Sequence, residues 1–195
     1  MLRAIIAASL IAGSAGIVPS AVAAQALQMG APIPGVCLFS RSAAVSASRA
    51  GLAGTARMQQ IVAGINADLN PQQQQISADG AALQAQKSAL SAAQFQQRGA
   101  VLQQRFQTYQ QLQQLRNAQV QATRNQVEGY VDQAMDPVLD AVTVAHRCAV
   151  VLERGNAYRF NAAMDLTDQV RIGLDQRLPT VQFNLVAPEA VQPKR

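Results

Sequence analysis

The chain has 195 residues and a formal net charge of +5, with no tryptophan and only 4% aromatic residues. Alanine and glutamine dominate its middle, so there is little bulk to fill a large core, and the composition argues against a compact globular domain. The positive charge is modest and does not by itself indicate a nucleic-acid-binding protein.

The amino-terminal residues follow the pattern of a secretory signal. Arg3 supplies an early positive charge, residues 4–18 are apolar, and small residues follow at Ala21, Ala23 and Ala24. We interpret residues 1–24 as a cleaved signal peptide. A transmembrane anchor is the alternative, but the apolar run stops at Pro19, short of the roughly 20 residues that a spanning helix needs. Export would leave acidic proteins and anionic lipid headgroups as candidate partners and would exclude nucleic acid.

The segment after the signal predicts a linker, a strand and the start of a helix. Residues 25–35 are polar and contain two prolines, which indicates a linker. The apolar run at residues 36–39 suits a buried strand, and we assign residues 36–42 to a small β body. A long helix should follow with Ser46 or Ser48 as its N-cap, because a serine hydroxyl accepts a hydrogen bond from an unpaired amide of the first turn.

A heptad repeat is the most informative pattern in the sequence. Apolar residues recur every seven positions, at Val62, Leu69, Ile76, Leu83 and Leu90. This narrow stripe is typical of a coiled-coil seam and not of the broad face of a helix buried in a globule. Pro71 interrupts the helix after Asn70, which can cap a restarted helix, so we expect a kink or a short break there.

A second apolar run with spacings of three, four or seven extends from Leu102 to Val138 and predicts a second long helix. The weak stretch between the two runs, residues 87–99, should contain the turn of a hairpin. We assign residues 43–147 to this helical hairpin arm. The glutamine-rich segments permit a disordered interpretation, but the apolar period argues against it and glutamine is a good helix former.

The outer part of the predicted hairpin is basic. Asp79 is the only acid between Ser77 and Glu128, whereas five positive residues lie in that stretch, at Lys87, Arg98, Arg105, Arg116 and Arg124. Each of them could be an ordinary solvated helix position. Together they make a positive field that attracts acidic partners.

After the hairpin, the pattern changes to that of short elements. The predicted elements are a buried strand at residues 148–152, a turn at 154–156, a partner strand at 157–161, a helix from Thr167 to Arg177 and a final strand at 180–186. Thr167 and Asp168 would satisfy the amino terminus of that last helix. Residues 148–186 would complete the β body, and residues 187–195 should form a flexible tail.

The sequence carries little that could serve catalysis or metal binding. His146 is the only histidine. A multi-histidine metal site cannot form within one chain, and a catalytic triad would have a single candidate base. Four acids recur every four residues, at Glu128, Asp132, Asp136 and Asp140, which indicates a solvated helix face more than a metal site. We therefore expect no enzyme activity, no cofactor and no metal, and nothing supports an envelope hydrolase.

The two cysteines, Cys37 and Cys148, each fall in a predicted strand of the body. In an exported chain this favours a structural disulfide between the strands. Two buried thiols are the alternative. A redox pair would need a spacing such as Cys-x-x-Cys, which is not found here.

Three stretches, taken in order, resemble the Skp/OmpH family of periplasmic chaperones. They are residues 36–54 with Ser48-Arg49-Ala50-Gly51, residues 148–161, and Asp165-Leu166-Thr167-Asp168-Gln169-Val170. The resemblance implies an α+β fold, with a small β body and a long α-helical coiled-coil hairpin arm, assembled as a jellyfish-like homotrimer. It also implies an ATP-independent periplasmic holdase that binds unfolded outer-membrane proteins in a cavity between helical arms.

The resemblance and the basic outer arm together suggest which residues contact such clients. The candidates are Lys87, Phe95, Arg98, Arg105, Phe106, Tyr109 and Arg116. The sequence departs from well-known family members in its glutamine-rich, lysine-poor arm and in its strand-like segment at residues 180–186. The alternative is a periplasmic coiled-coil adaptor or a structural envelope protein, although such adaptors usually flank the hairpin with larger β domains.

Overall fold

The structure is a computed structural model that describes residues 30–187. The predicted signal peptide and nearly all of the predicted tail lie outside the described residues. The elements in chain order are β1 (Val36–Phe39), α1 (Arg41–Ala47), α2 (Arg49–Ala85), α3 (Ala92–Ala145), β2 (Val150–Glu153), two short 3-10 turns (Arg154–Asn156 and Ala162–Met164) and α4 (Thr167–Arg177). The predicted α+β class is confirmed.

The two strands form a small parallel sheet in which Val36 pairs with Val150 and Phe39 with Glu153. Parallel strands need a long crossover connection, and here the whole helical hairpin lies between them in the chain. The Leu166 amide extends the sheet edge by donating to the Leu38 carbonyl at 2.8 Å. A disulfide joins Cys37 to Cys148, with their Cα atoms 5.7 Å apart.

The hydrophobic core lies where α1, α4 and the carboxyl-terminal part of α3 meet the sheet. Its buried members are Cys37, Phe39, Ala44, Val131, Met135, Leu166, Val170 and Leu174. We call β1, α1, β2, α4 and the part of α3 that packs on α4 the body. Burial of apolar side chains contributes about 25 cal/mol per Å², so this cluster is the main source of stability in the body.

Two serines position the start of the hairpin. Ser40 caps α1, and Ser48 caps α2 by accepting a hydrogen bond from the Gly51 amide at 3.0 Å. Ser48 was one of the two predicted caps, and that choice is confirmed, whereas the short helix α1 was not predicted. A Cβ at Gly51 would lie 1.9 Å from the Val45 carbonyl oxygen, so only glycine fits the tight approach of α1 to α2.

The two helices of the hairpin are continuous. Of the kink or short break expected at Pro71, the break is wrong, because α2 runs from Arg49 to Ala85 with Pro71 inside it. The proline removes one backbone hydrogen bond, and packing against α3 on both sides of it, where Leu69 and Leu83 are buried, holds the helix together. The turn occupies residues 86–91, at the beginning of the predicted stretch, and Ser91 with Gln94 forms a capping box that starts α3.

Two of the predicted strands are absent from the described chain. Residues 157–161 form no strand, since side chains bend the backbone on either side of them. The Glu153 carboxylate accepts from the Gly155 amide, and the Asn161 side chain accepts from the Ala163 amide, which stabilises two 3-10 turns. Residues 180–186 form no strand either, although they are extended, because they pack against the hairpin and not against the sheet.

The last helix has the predicted extent, from Thr167 to Arg177, but a different amino-terminal cap. Its N-cap position is Leu166, and no side chain caps it. The Thr167 hydroxyl instead accepts from the Ser40 amide at 3.0 Å and donates to the Asp165 carboxylate. The hydroxyl therefore ties α4 to the start of α1, and the prediction that Thr167 caps its own helix is wrong.

Candidate functional site

The hairpin is long and its interface is thin. At 37 and 54 residues, helices α2 and α3 are about 55 Å and about 80 Å long. We call residues 69–116 the outer arm. Within it the buried side chains are Leu69, Leu83 and Tyr109, so most of its surface faces solvent and is open to a partner.

An open cleft near the turn brings two of the predicted client-contacting residues, Arg98 and Arg105, together. This cleft has a volume of about 470 Å³ and is lined by Leu83, Leu102, Arg98 and Arg105. Val101 also lines the cleft and is exposed. The side chains combine apolar surface with two guanidinium groups, which can contact the apolar and acidic groups of an unfolded chain.

The basic side chains of the outer arm are held mostly by neutral groups. The Lys87 ammonium lies 5.9 Å from the centre of the Phe95 ring, within the range of a cation–π contact. Arg98 donates to Gln86 at 2.7 Å and Arg116 donates to Gln119 at 3.0 Å. Their charges are therefore not neutralised by these contacts and remain available to an acidic partner.

Arg105 differs from the other predicted contact residues because it forms an ion pair. Its Nη1 lies 2.9 Å from Oδ2 of Asp79 across the hairpin, and 60% of the Arg105 side chain is exposed. Exposed pairs of this kind contribute about 0 to 1 kcal/mol. The pair partly neutralises the outer arm and helps to join α2 to α3.

Of the two aromatic candidates in the middle of α3, one is exposed and the other is not. Phe106 has 41% of its surface exposed, whereas Tyr109 has only 6%. The Tyr109 hydroxyl donates to Gln73 across the hairpin at 3.2 Å and accepts from Gln113 at 3.0 Å. Tyr109 therefore packs the hairpin, and Phe106 is the aromatic ring that an unfolded chain can reach.

The base of the arm contains a second open cavity, of about 760 Å³, which the sequence did not predict. Its apolar lining includes Met58, Val62, Val127, Val131 and Phe183. Val62 belongs to the predicted heptad stripe, so that pattern marked part of this surface. Phe183 comes from a distant segment, which no local pattern could connect to it.

The other polar residues considered in the sequence have structural partners. The His146 Nε2 lies 2.7 Å from Oε1 of Gln169 in α4, and Asp132 pairs with Arg41. Among residues 30–187, no group of three or more histidine, cysteine, aspartate or glutamate side chains is arranged to hold a metal ion. The acid stripe of α3 thus serves in part to attach α1 to the arm.

Asp165, in the body, has a lowered pKa. Burial raises the pKa of its carboxyl, but hydrogen bonds from the Thr167 hydroxyl and amide and from Arg154 outweigh burial and leave that pKa below its usual 3.8. The Arg154 Nη1 lies 3.0 Å from Oδ2 of Asp165. The carboxylate is ionised at neutral pH and joins the chain after β2 to the start of α4.

These elements define a class of α+β protein in which a small body carries one long helical hairpin inserted between its two strands. In the described part of the chain, no helix has the length and apolar character needed to cross a membrane. The model of the OmpH-like outer membrane protein family matches residues 36–173. The chain belongs to this family.

A solved structure supports the same assignment. The crystal structure of an OmpH-like protein from Caulobacter crescentus CB15, provisionally described as an outer membrane chaperone, is 34% identical and has a TM-score of 0.72. The match covers 81% of this chain and 94% of the Caulobacter chain. A search among curated protein sequences found no significant match. The predicted resemblance is confirmed at the level of the family, and the family is one of chaperones.

Proposed function

We propose that this protein is an ATP-independent periplasmic holdase that binds unfolded outer-membrane proteins between helical arms. The observation that carries the proposal is the outer arm, where exposed apolar groups such as Phe106 alternate with uncompensated cations such as Arg98. Many weak contacts of both kinds retain an unfolded chain without trapping it, because each can break separately.

The proposed assembly is a homotrimer formed through the body. A two-stranded sheet is marginal by itself, and its outer surface exposes Val150 and Leu152, with Tyr158 close by in the chain. Exposed apolar groups on a short sheet favour pairing with further copies. Native mass spectrometry should find three chains per particle, and a functional monomer at micromolar concentration would contradict this assembly.

Charge reversal tests whether the outer arm captures clients. Lys87→Glu combined with Arg98→Glu should slow capture of a urea-unfolded acidic outer-membrane β-barrel protein about tenfold at low salt, because steering by a positive surface raises the association rate. The same change should weaken the dependence of the capture rate on salt. Stopped-flow fluorescence of a labelled client measures both effects.

The matched control reverses two exposed charges in the loop after β2 and at the end of α4, Arg159→Glu with Arg177→Glu. It changes the net charge equally but leaves the outer arm unaltered, so capture should slow much less. Equal rates for the two variants would mean that only net charge matters. Circular dichroism should show the same helix content in both.

A further inference from the structure

Residues 178–187 lie extended along the base of the hairpin, and we call them the strap. Val181, Phe183 and Leu185 are buried or half-buried, whereas Gln182 and Asn184 between them are exposed. Val181 packs over Gly54 of α2, where a Cβ would come within 3.2 Å of its Cγ1. The strap therefore presents every second side chain to the arm, in the manner of a β-strand.

Polar side chains of both arm helices hold the strap chiefly by its backbone. Gln119 Nε2 donates to the Val186 carbonyl at 2.5 Å, and the Val186 amide donates to Thr123 Oγ1 at 3.0 Å. Arg57 Nε donates to the Phe183 carbonyl at 3.2 Å. Backbone groups are common to all polypeptides, so these three hydrogen bonds do not depend on the sequence of the bound segment.

Two of these side chains are buried with the strap in place. Gln119 is 2% exposed and Thr123 is 0% exposed. A buried polar side chain is costly unless it is hydrogen-bonded, and the Gln119 amide nitrogen is directed to a main-chain oxygen of the strap. If the strap left, another extended backbone could satisfy the same groups.

Clients of the proposed function share the period of the strap. Transmembrane β-strands of outer-membrane proteins alternate apolar and polar residues, as Val181-Gln182-Phe183-Asn184-Leu185 does. Phe183 also lines the open cavity of about 760 Å³ at the arm base, which leaves room for apolar side chains beside it.

We propose that the groove containing Gly54, Arg57, Gln119 and Thr123 is a binding site for extended polypeptide, and that the strap occupies it as an internal competitor of client strands. This inference rests on the proposed holdase function and adds a site at the arm base to the outer arm. The strap is part of the same chain, so it competes with clients at any client concentration. The apparent association constant for clients is therefore reduced to the fraction of sites that the strap leaves free.

Releasing the strap should strengthen client binding. Val181→Asp places a charge in a buried position and should tighten binding of a urea-unfolded outer-membrane β-barrel protein about tenfold, since it frees the occupied sites. Gln182→Asp adds the same charge at an exposed position of the strap and should leave affinity unchanged. Anisotropy of a labelled client, with the full mature chain, measures both.

A groove variant separates the loss of the strap from the loss of the site. Gln119→Leu with Thr123→Val removes both hydrogen-bond partners of Val186. It therefore weakens binding of the strap, but it also removes the groups that would bind a client strand. Its affinity should not rise. A gain equal to that of Val181→Asp would overturn the inference, as would equal affinities for Val181→Asp and Gln182→Asp or weaker binding by Val181→Asp.

A second measurement needs neither a client nor a strap-release variant. The chain has no tryptophan, so Phe183→Trp places a single reporter in the strap. A peptide with the sequence of residues 178–187 should displace the strap and shift the tryptophan emission to the red. A peptide with the residues equivalent to Gln182 and Phe183 exchanged should not, because its alternation is broken.

The two experiments distinguish failure of this inference from failure of the proposed function. If wild type binds no client but the peptide displaces the strap, the groove inference is supported and the holdase function is contradicted. If wild type binds clients but neither Val181→Asp nor the peptide has an effect, the groove inference is contradicted. Client binding by the outer arm is then still supported. Unchanged emission at saturating peptide contradicts the groove in either case.

Discussion

In the body, Leu166, Val170 and Leu174 are fully buried, and a disulfide joins β1 to the residues that follow α3. The outer arm, in contrast, buries only Leu69, Leu83 and Tyr109. Local stability follows the density of buried apolar contacts. The body should therefore open rarely and the outer arm often. This difference suits the proposed holdase, in which the body would keep the assembly together while the arm adapts to clients of many shapes.

Removal of the disulfide should have the largest effect on the body. Cys37 and Cys148 are 111 positions apart, and chain-entropy arguments give about 4 to 5 kcal/mol for a loop of this size. Cys37→Ala with Cys148→Ala should lower the free energy of unfolding by up to that amount, measured in guanidinium at fixed protein concentration. Amide exchange in the outer arm should hardly change, and a loss of protection there as large as in the body would contradict the comparison.

The oxidised protein should also show no free thiol. Thiol labelling in denaturant without reductant checks this. It should be done before the double alanine variant is compared with the oxidised protein. Two labelled cysteines per chain, in protein taken from an oxidising compartment, would mean that the cysteines are simply buried in the body.

Two glycines of α2 provide a smaller and closely matched contrast. Gly51→Ala should destabilise the protein by about 3 kcal/mol, because the new Cβ meets the backbone of Val45 and one of the two helices must move. Gly64→Ala meets nothing within 4 Å and should stabilise the helix by about 0.5 to 1 kcal/mol. Thermal unfolding by circular dichroism compares the two, and equal effects would show that the α1–α2 junction is not tightly packed.

The smallest predicted effects compare one ion pair from each region. Asp165→Asn should cost about 1 to 2 kcal/mol at neutral pH, because the carboxylate accepts charge-assisted hydrogen bonds in a partly buried site. Asp79→Asn should cost less than about 0.5 kcal/mol, since its pair with Arg105 is exposed. Urea unfolding at neutral pH gives both values, and a larger loss for Asp79→Asn would reverse the assignment of rigid and adaptable regions.

The same pair of variants predicts a dependence on pH. The pKa of Asp165 is lowered on folding, so its contribution to stability is present above about pH 4, the usual pKa of an unfolded aspartate. It is lost as the pH falls through the lower pKa of the folded state. Wild type and Asp165→Asn should therefore converge in stability in strong acid, and a constant difference from neutral to acid pH would contradict this role.

The sequence by itself determined the elements whose signals are local. A seven-residue apolar period can be recognised without a distant partner. It predicted the helical hairpin, in which Leu69 and Leu83 are buried. Ser48 as a cap and the extent of α4 also follow from short patterns. For the candidate site, the sequence identified the basic outer arm, in which Arg98 and Arg105 share one cleft.

Only the tertiary structure decided which surfaces these elements cover. The alternation at residues 180–186 correctly indicated extended backbone, but period two does not say whether a sheet or a helical hairpin lies beneath it. Likewise the period of α3 marks Phe106 and Tyr109 alike as apolar. Only the packing of α3 on α2, where Tyr109 donates to Gln73, decides that Tyr109 is the buried one. The physical reason is that periodicity shows which side of an element is apolar, whereas the partner of that side is chosen by contacts between residues far apart in the chain.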